Sequence, residues 1–179
     1  EMVGRVNESL GSSTSIQGNI ETNATDFTVA IMSDIHQGHY LGNLLPEAID
    51  AAKAAGDLFV LALGDSADTG KTEDFTAVKQ AFDDRNMPFR MVLGNHDIYF
   101  GGWENWRNLF GSSIFRFDVG QTISFFVLDT ANGYVGDSQM NWLENELQKS
   151  SLPIKIIATH DPIYMGTTRS LWQLAPAED

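Results

Sequence analysis

The sequence contains no cysteine, so no disulfide staples it and no thiolate can bind a metal; any ion must be held by carboxylate, imidazole, amide or water. Basic residues are also scarce: 11 Lys and Arg stand against 24 Asp and Glu, for a formal net charge of −13. Nucleic-acid binding relies on clustered Lys and Arg, so no broad nucleic-acid surface is expected. No run of about 18 apolar residues is present to span a bilayer, and the N-terminus lacks the basic-then-apolar pattern of a signal peptide. The expectation is therefore a chain without a membrane span, in a compartment these features leave open. What the chain does have is 179 residues at 42% hydrophobic content, enough to bury one sizeable core.

Residues 1–25 are rich in Ser, Asn, Thr and Gly without sustained periodicity, and a linker or extended N-terminal segment is expected there, with a folded domain over 26–179. From Phe27 short apolar runs alternate with helix-like segments, the pattern of a layered α/β fold. The apolar runs are Phe27 to Met32, Leu58 to Leu63, Phe89 to Leu93, Ile123 to Leu128 and Ile154 to Ala158. Leu44 to Ala55 has helical composition, and Glu73 to Asp84 places Phe75, Val78 and Phe82 at spacings of three and four. Asp137 reads as an N-cap for a third helix, with Met140, Leu143 and Leu147 on its core face. Trp103 and Trp106 suggest a shorter helix, and Ile114 to Val119 with Ile123 to Leu128 predicts a hairpin turning at Gly120.

Four of the strands end in a polar cluster: Ser33-Asp34-Ile35-His36, Gly64-Asp65-Ser66-Ala67-Asp68, Gly94-Asn95-His96-Asp97 and Thr159-His160-Asp161. In α/β sheets the carboxyl ends of strands line the ligand crevice, so clusters distant in sequence can converge. One Asp after a strand is usually a turn or a cap. Four clusters together supply a set of hard oxygen and imidazole ligands suited to divalent first-row metals such as Mn, Fe, Co or Zn. Gly64 and Gly94 stand where the backbone must turn sharply or approach such a site closely. His39 lies in a Gly-flanked loop and is left outside the metal set; Tyr99, Trp103 and Trp106 either wall a cleft or belong to the core, and Trp142 and Trp172 read as core.

The order D-x-H, G-D-x-x-D, G-N-H-D, H over residues of about 27 to 165 resembles the signature of the calcineurin-like metallophosphoesterases. The resemblance implies an α/β/β/α sandwich with mixed sheets and two divalent metal ions: Asp34 and His36 on the first, Asn95 and His160 on the second, and Asp65 bridging both. It implies hydrolysis of phosphodiesters or phosphomonoesters by a hydroxide between the metals, with His96 as general acid and Asp68 as its orienting partner. Asp97 would act through another residue or in a local turn.

Details narrow the branch. Purple acid phosphatases carry Tyr where Asp68 stands; Ser/Thr protein phosphatases carry Arg and Glu where Thr69 and Asp97 stand. Nucleotidase relatives continue with Phe-Asp where this chain has Ile98-Tyr99. The remaining likeness is to bacterial-type phosphodiesterases and phosphatases acting on small phosphate esters. That family ends with G-H-x-H, whereas none of the four histidines here follows His160, so a domain incomplete at its C-terminus is expected. An exposed sheet edge would then invite a homo-oligomer. The competing reading is a non-catalytic scaffold or inactive fragment; a nuclease of the same fold is disfavoured by the acidic charge.

Overall fold

The computed structural model describes residues 2–12, 17–39 and 44–162. Trp172 and the rest of 163–179, part of the expected domain, lie outside the described residues. In chain order the elements are α1 (Met2–Gly11), β1 (Ala30–Met32), α2 (Leu45–Ala55), β2 (Val60–Ala62), α3 (Thr72–Asp84), β3 (Phe89–Met91), α4 (Gly102–Phe110), β4 (Phe115–Val119), β5 (Ile123–Val127), α5 (Asp137–Lys149) and β6 (Ile154–Ala158). A 3₁₀ segment, His96–Gly101, leads into α4.

Two three-stranded sheets form the centre. The first runs β1-β2-β3, all parallel; the second runs β4-β5-β6, with β4 antiparallel and β6 parallel to β5. Alternation along the strands divides the core. Phe59, Leu61 and Val92 from the first sheet meet Phe117, Phe125 and Val127 from the second, joining the sheets face to face. Val60, Ala62, Met91 and Leu93 turn the other way, onto Ile49 of α2, Phe75, Val78 and Phe82 of α3, and Trp106 and Phe110 of α4. On the far face, Phe126 and Leu128 pack against Leu143 of α5. The result is the expected α/β/β/α order.

The first three strands are shorter than the apolar runs that announced them, although ladder-like hydrogen bonds continue past their ends, from Leu58 N to Thr28 O and from Leu63 N to Met32 O. The hairpin turns at Gly120 as expected. Gly56, in the left-handed region at φ 80°, closes α2.

Two local expectations are corrected. Residues 2–11 form a helix rather than an extended segment, and α1 docks by burying Arg5, Val6 and Ser9. In α5 the capping position is Gly136, with Asp137 inside the first turn; Met140 is exposed and Gln139 is buried in its place. Among the described residues no helix is long and apolar enough to cross a membrane.

Candidate metal centre

All three strands of the first sheet run in parallel, so their carboxyl ends emerge on one side, and each delivers its polar cluster there. Backbone hydrogen bonds then lock the loops together: Asp34 N donates to Gly64 O at 3.1 Å and His36 N to Asp65 O at 2.9 Å. The turns are tight enough to force Asp34, His36 and Asp65 to φ values of 55°, 47° and 52°. Only five non-glycine residues among those described have positive φ, and three of them are candidate ligands. Strain of this kind persists where surrounding structure imposes it, typically at functional sites. Glycine makes the approach feasible. A Cβ on Gly64, itself at φ 100°, would strike the His160 ring, and one on Gly94 would land on the backbone nitrogen and carboxylate of Asp65.

The side chains converge on a cleft of about 510 Å³ lined by Asp34, His36, Asp65, Asn95, His96 and His160, joined by Asp161 and Pro162. Asp65 is buried at its centre. Its Oδ1 accepts from the His96 backbone N–H at 2.9 Å and lies 3.5 Å from Nε2 of His160; its Oδ2 lies 3.7 Å from Nε2 of His36. Asp34 Oδ1 is also 3.7 Å from that His36 nitrogen. On the other side, His160 Nδ1 donates to the Leu63 carbonyl at 2.7 Å, which turns Nε2 to Asn95 Oδ1 at 3.1 Å. Asn95 is held in that sense because its amide donates to the Tyr99 hydroxyl at 3.1 Å.

These separations suit shared ions. Two donors each about 2.1 Å from one ion at a tetrahedral angle stand about 3.4 Å apart. Asp34, His36 and Asp65 offer donor atoms all within 4.8 Å of one another, as do His36, Asp68 and His96. The donors are oxygen and imidazole nitrogen throughout, the chemistry divalent first-row ions prefer. Burial works against charge on both Asp65 and His160, yet their mutual attraction prevails, holding the Asp65 carboxyl below its ordinary value and raising His160 to about 9.

Asp68 serves two histidines by different atoms. Its carboxylate sits 3.2 Å from Nδ1 of His36, and its backbone carbonyl accepts from Nδ1 of His96 at 2.8 Å, while the carboxylate is 3.9 Å from that His96 nitrogen. The carboxylate grip expected on His96 therefore goes to His36. Asp97 is fully buried and its two oxygens accept from Ala67 N and Gly94 N, both at 2.9 Å, binding the second cluster to the third. Burial pushes its carboxyl up to about 7 against the pull of those two donors.

Other residues singled out in the sequence divide between site and core. Tyr99 has its ring 4.7 Å from that of His96, and His39 lies 6.4 Å from His36, ring to ring. Trp106 is fully buried, Trp103 packs beside it with its indole N–H on Glu8, and Trp142 packs near Leu143.

A model of the family described as calcineurin-like phosphoesterase matches residues 27–177. The chain belongs to that family. Among curated relatives is a protein of Fibrobacter succinogenes named a probable cyclic nucleotide phosphodiesterase, 30% identical over 118 residues. The match covers 62% of the present chain and 44% of the relative, so the chain spans less than half of that relative's length.

Arg5, Thr130 and Gln139, all buried, carried no expectation from the sequence. The signal was available in part: Asp129-Thr130 follows β5 just as the other polar clusters follow their strands.

Proposed function

We propose that the chain hydrolyses phosphate esters with two divalent metal ions, of Mn, Fe, Zn or Co type, held by Asp34 and His36 on one side, Asn95 and His160 on the other, and Asp65 between them. The observation that carries this reading is the arrangement of Asp65, facing His36 through one oxygen and His160 through the other. Ions bound there would acidify a water and neutralise phosphate charge. The residues themselves do the remaining work. Strained turns fix Asp34, His36 and Asp65 before any ion arrives, so little ordering cost falls on binding. His96 has Nδ1 committed to the Asp68 carbonyl, which leaves Nε2 to pass a proton to the leaving oxygen of the substrate as general acid. Asp68 sets the ring of His36 through its carboxylate and that of His96 through its carbonyl.

Small phosphate esters suit a cleft of this size, and the name of the Fibrobacter relative supports diesters, cyclic nucleotides among them, as the first substrates to try. Purified protein supplied with Mn²⁺ or Zn²⁺ is expected to retain the ion and to cleave bis(p-nitrophenyl) phosphate, and Asp65→Asn to abolish both. Protein that retains no divalent ion and cleaves neither a diester nor a monoester reporter would instead be a scaffold that kept the fold.

A further inference from the structure

The family match begins at residue 27, yet a helix outside it reaches the candidate metal centre through an unbroken series of buried groups. Arg5 of α1 is buried and grips Asp129 with two prongs, Nε to Oδ2 at 2.7 Å and Nη2 to Oδ1 at 3.0 Å; Nη2 also donates to Asn132 Oδ1 at 2.6 Å. Ser113 Oγ donates to the same Asp129 carboxylate at 2.7 Å and is itself 2.9 Å from Ser9 Oγ of α1. The backbone of Asp129 is clamped as well: Gln139 accepts from its N–H at 2.9 Å and donates to its carbonyl at 2.8 Å. The next residue, Thr130, is fully buried, and its hydroxyl oxygen accepts from the backbone N–H groups of both His160 and Asp161, at 3.2 and 3.0 Å.

We infer that Thr130 is a positioning residue for the His160 ligand and that α1, through Arg5 and Asp129, is the accessory clamp that holds Thr130 in place. The inference rests on the reading of His160 as a metal ligand. Its physical basis is the direction of each constraint. The imidazole is fixed at Nδ1 by the Leu63 carbonyl, but where the ring starts from depends on the backbone of residues 160 and 161. Among the described residues, the side-chain acceptor given to those two backbone N–H groups is the Thr130 hydroxyl. A buried, two-pronged Arg–carboxylate pair fixes the orientation of both groups, and Asp129 passes that constraint to Thr130 through the shared backbone. Partners that orient a ligand typically change metal affinity 10- to 100-fold when removed.

The test compares Mn²⁺ dissociation constants by isothermal titration calorimetry for the full chain and its variants. Thr130→Val keeps the shape and removes the acceptor; it is expected to bind Mn²⁺ about 10-fold more weakly. Thr130→Ser keeps the oxygen and is expected to restore the affinity. Arg5→Lys keeps the charge but loses the two-pronged grip, and is expected to weaken binding in the same direction by less; it also serves if Thr130→Val does not fold. Val78→Ala, on the buried face of α3 and away from the cleft, should lower the melting temperature without altering Mn²⁺ affinity. If Thr130→Val and Arg5→Lys lose only stability, as Val78→Ala does, the positioning role is overturned while the metal centre stands. If the parent protein takes up neither Mn²⁺ nor Zn²⁺, the metal reading falls and the positioning role with it.

Discussion

The carboxylate of Asp68 lies 3.2 Å from Nδ1 of His36, a contact that would make the acid a partner of the proposed metal ligand rather than of the proposed general acid. The two assignments separate cleanly by mutation, because Asp68→Asn alters the carboxylate and leaves the backbone carbonyl that holds His96 untouched. Asp68→Asn is expected to weaken divalent-ion affinity by about 10-fold. At saturating metal, the basic limb of the pH–rate profile, where the general acid loses its proton, should stay where it is. A profile displaced by the mutation with metal affinity unchanged would return the carboxylate to His96.

Asp97 holds the loops that carry Asp65 and Asn95 together without facing the cleft. Asp97→Ala would leave the N–H groups of Ala67 and Gly94 buried without their acceptors, at a cost of about 1–3 kcal/mol for each. Urea unfolding of the metal-free protein should therefore show a loss of about 3 kcal/mol, near the upper end for single substitutions. A loss below about 1 kcal/mol would mean that water replaces the carboxylate and that the loops are held by other contacts.

The metal-free protein should lose stability as the solution becomes alkaline. His160 is raised to about 9 from the ordinary 6.5, so between those values the folded chain binds a proton that the unfolded chain has released. Its contribution is fully present below about 6.5 and is lost as pH rises through about 9. Asp97, raised to about 7, acts in the same direction at lower pH, so the window from about 7.5 to 9.5 isolates His160. Asp65, held below its ordinary value, stays ionised across that window. Urea midpoints should fall across it for the parent protein and stay flat for His160→Gln. Saturating Mn²⁺ should remove the fall, because a ligating imidazole is already neutral.

The convergence of the first three clusters was legible because parallel strands must present their carboxyl ends together, and Asp, His and Asn at those ends stand out against apolar runs; the fourth, at the end of β6, comes from the other sheet, and its approach depends on how the two sheets pack. The core face of α3 was legible for a similar reason, since Phe75, Val78 and Phe82 recur at helical spacing and are all fully buried. Helix α1 was not, because its apolar positions Val3, Val6 and Leu10 recur at helical spacing for only two turns within a stretch otherwise rich in Ser, Asn, Thr and Gly, and the face it buries holds Arg5 and Ser9 beside Val6 while Val3 stays exposed. A helix so short is marginal alone and owes its existence to docking. The exchange of Met140 for Gln139 in α5 has the same cause: the amide is buried because it completes the backbone bonding of Asp129, a requirement invisible to a hydrophobic pattern. The double service of Asp68 was hidden more deeply, since a backbone carbonyl carries no residue-specific signal at all.

Two glycines offer a contrast between strain and collision. Gly56 ends α2 at φ 80° with open space around it, so Gly56→Ala pays only the left-handed penalty of about 1–2 kcal/mol. Gly94 is not among the glycines at positive φ, so alanine is acceptable to its backbone, yet the added methyl would occupy the place of the Asp65 nitrogen and carboxylate. Backbone atoms cannot step aside as a flexible side chain would. Gly94→Ala is therefore expected to abolish metal uptake and ester cleavage, while Gly56→Ala lowers the melting temperature and leaves both intact. Metal analysis of the two purified variants, with circular dichroism to verify folding, checks this. Gly94→Ala protein that retains metal would show that the loop carrying Asp65 can shift without losing the site, contrary to the rigidity its strained turn implies.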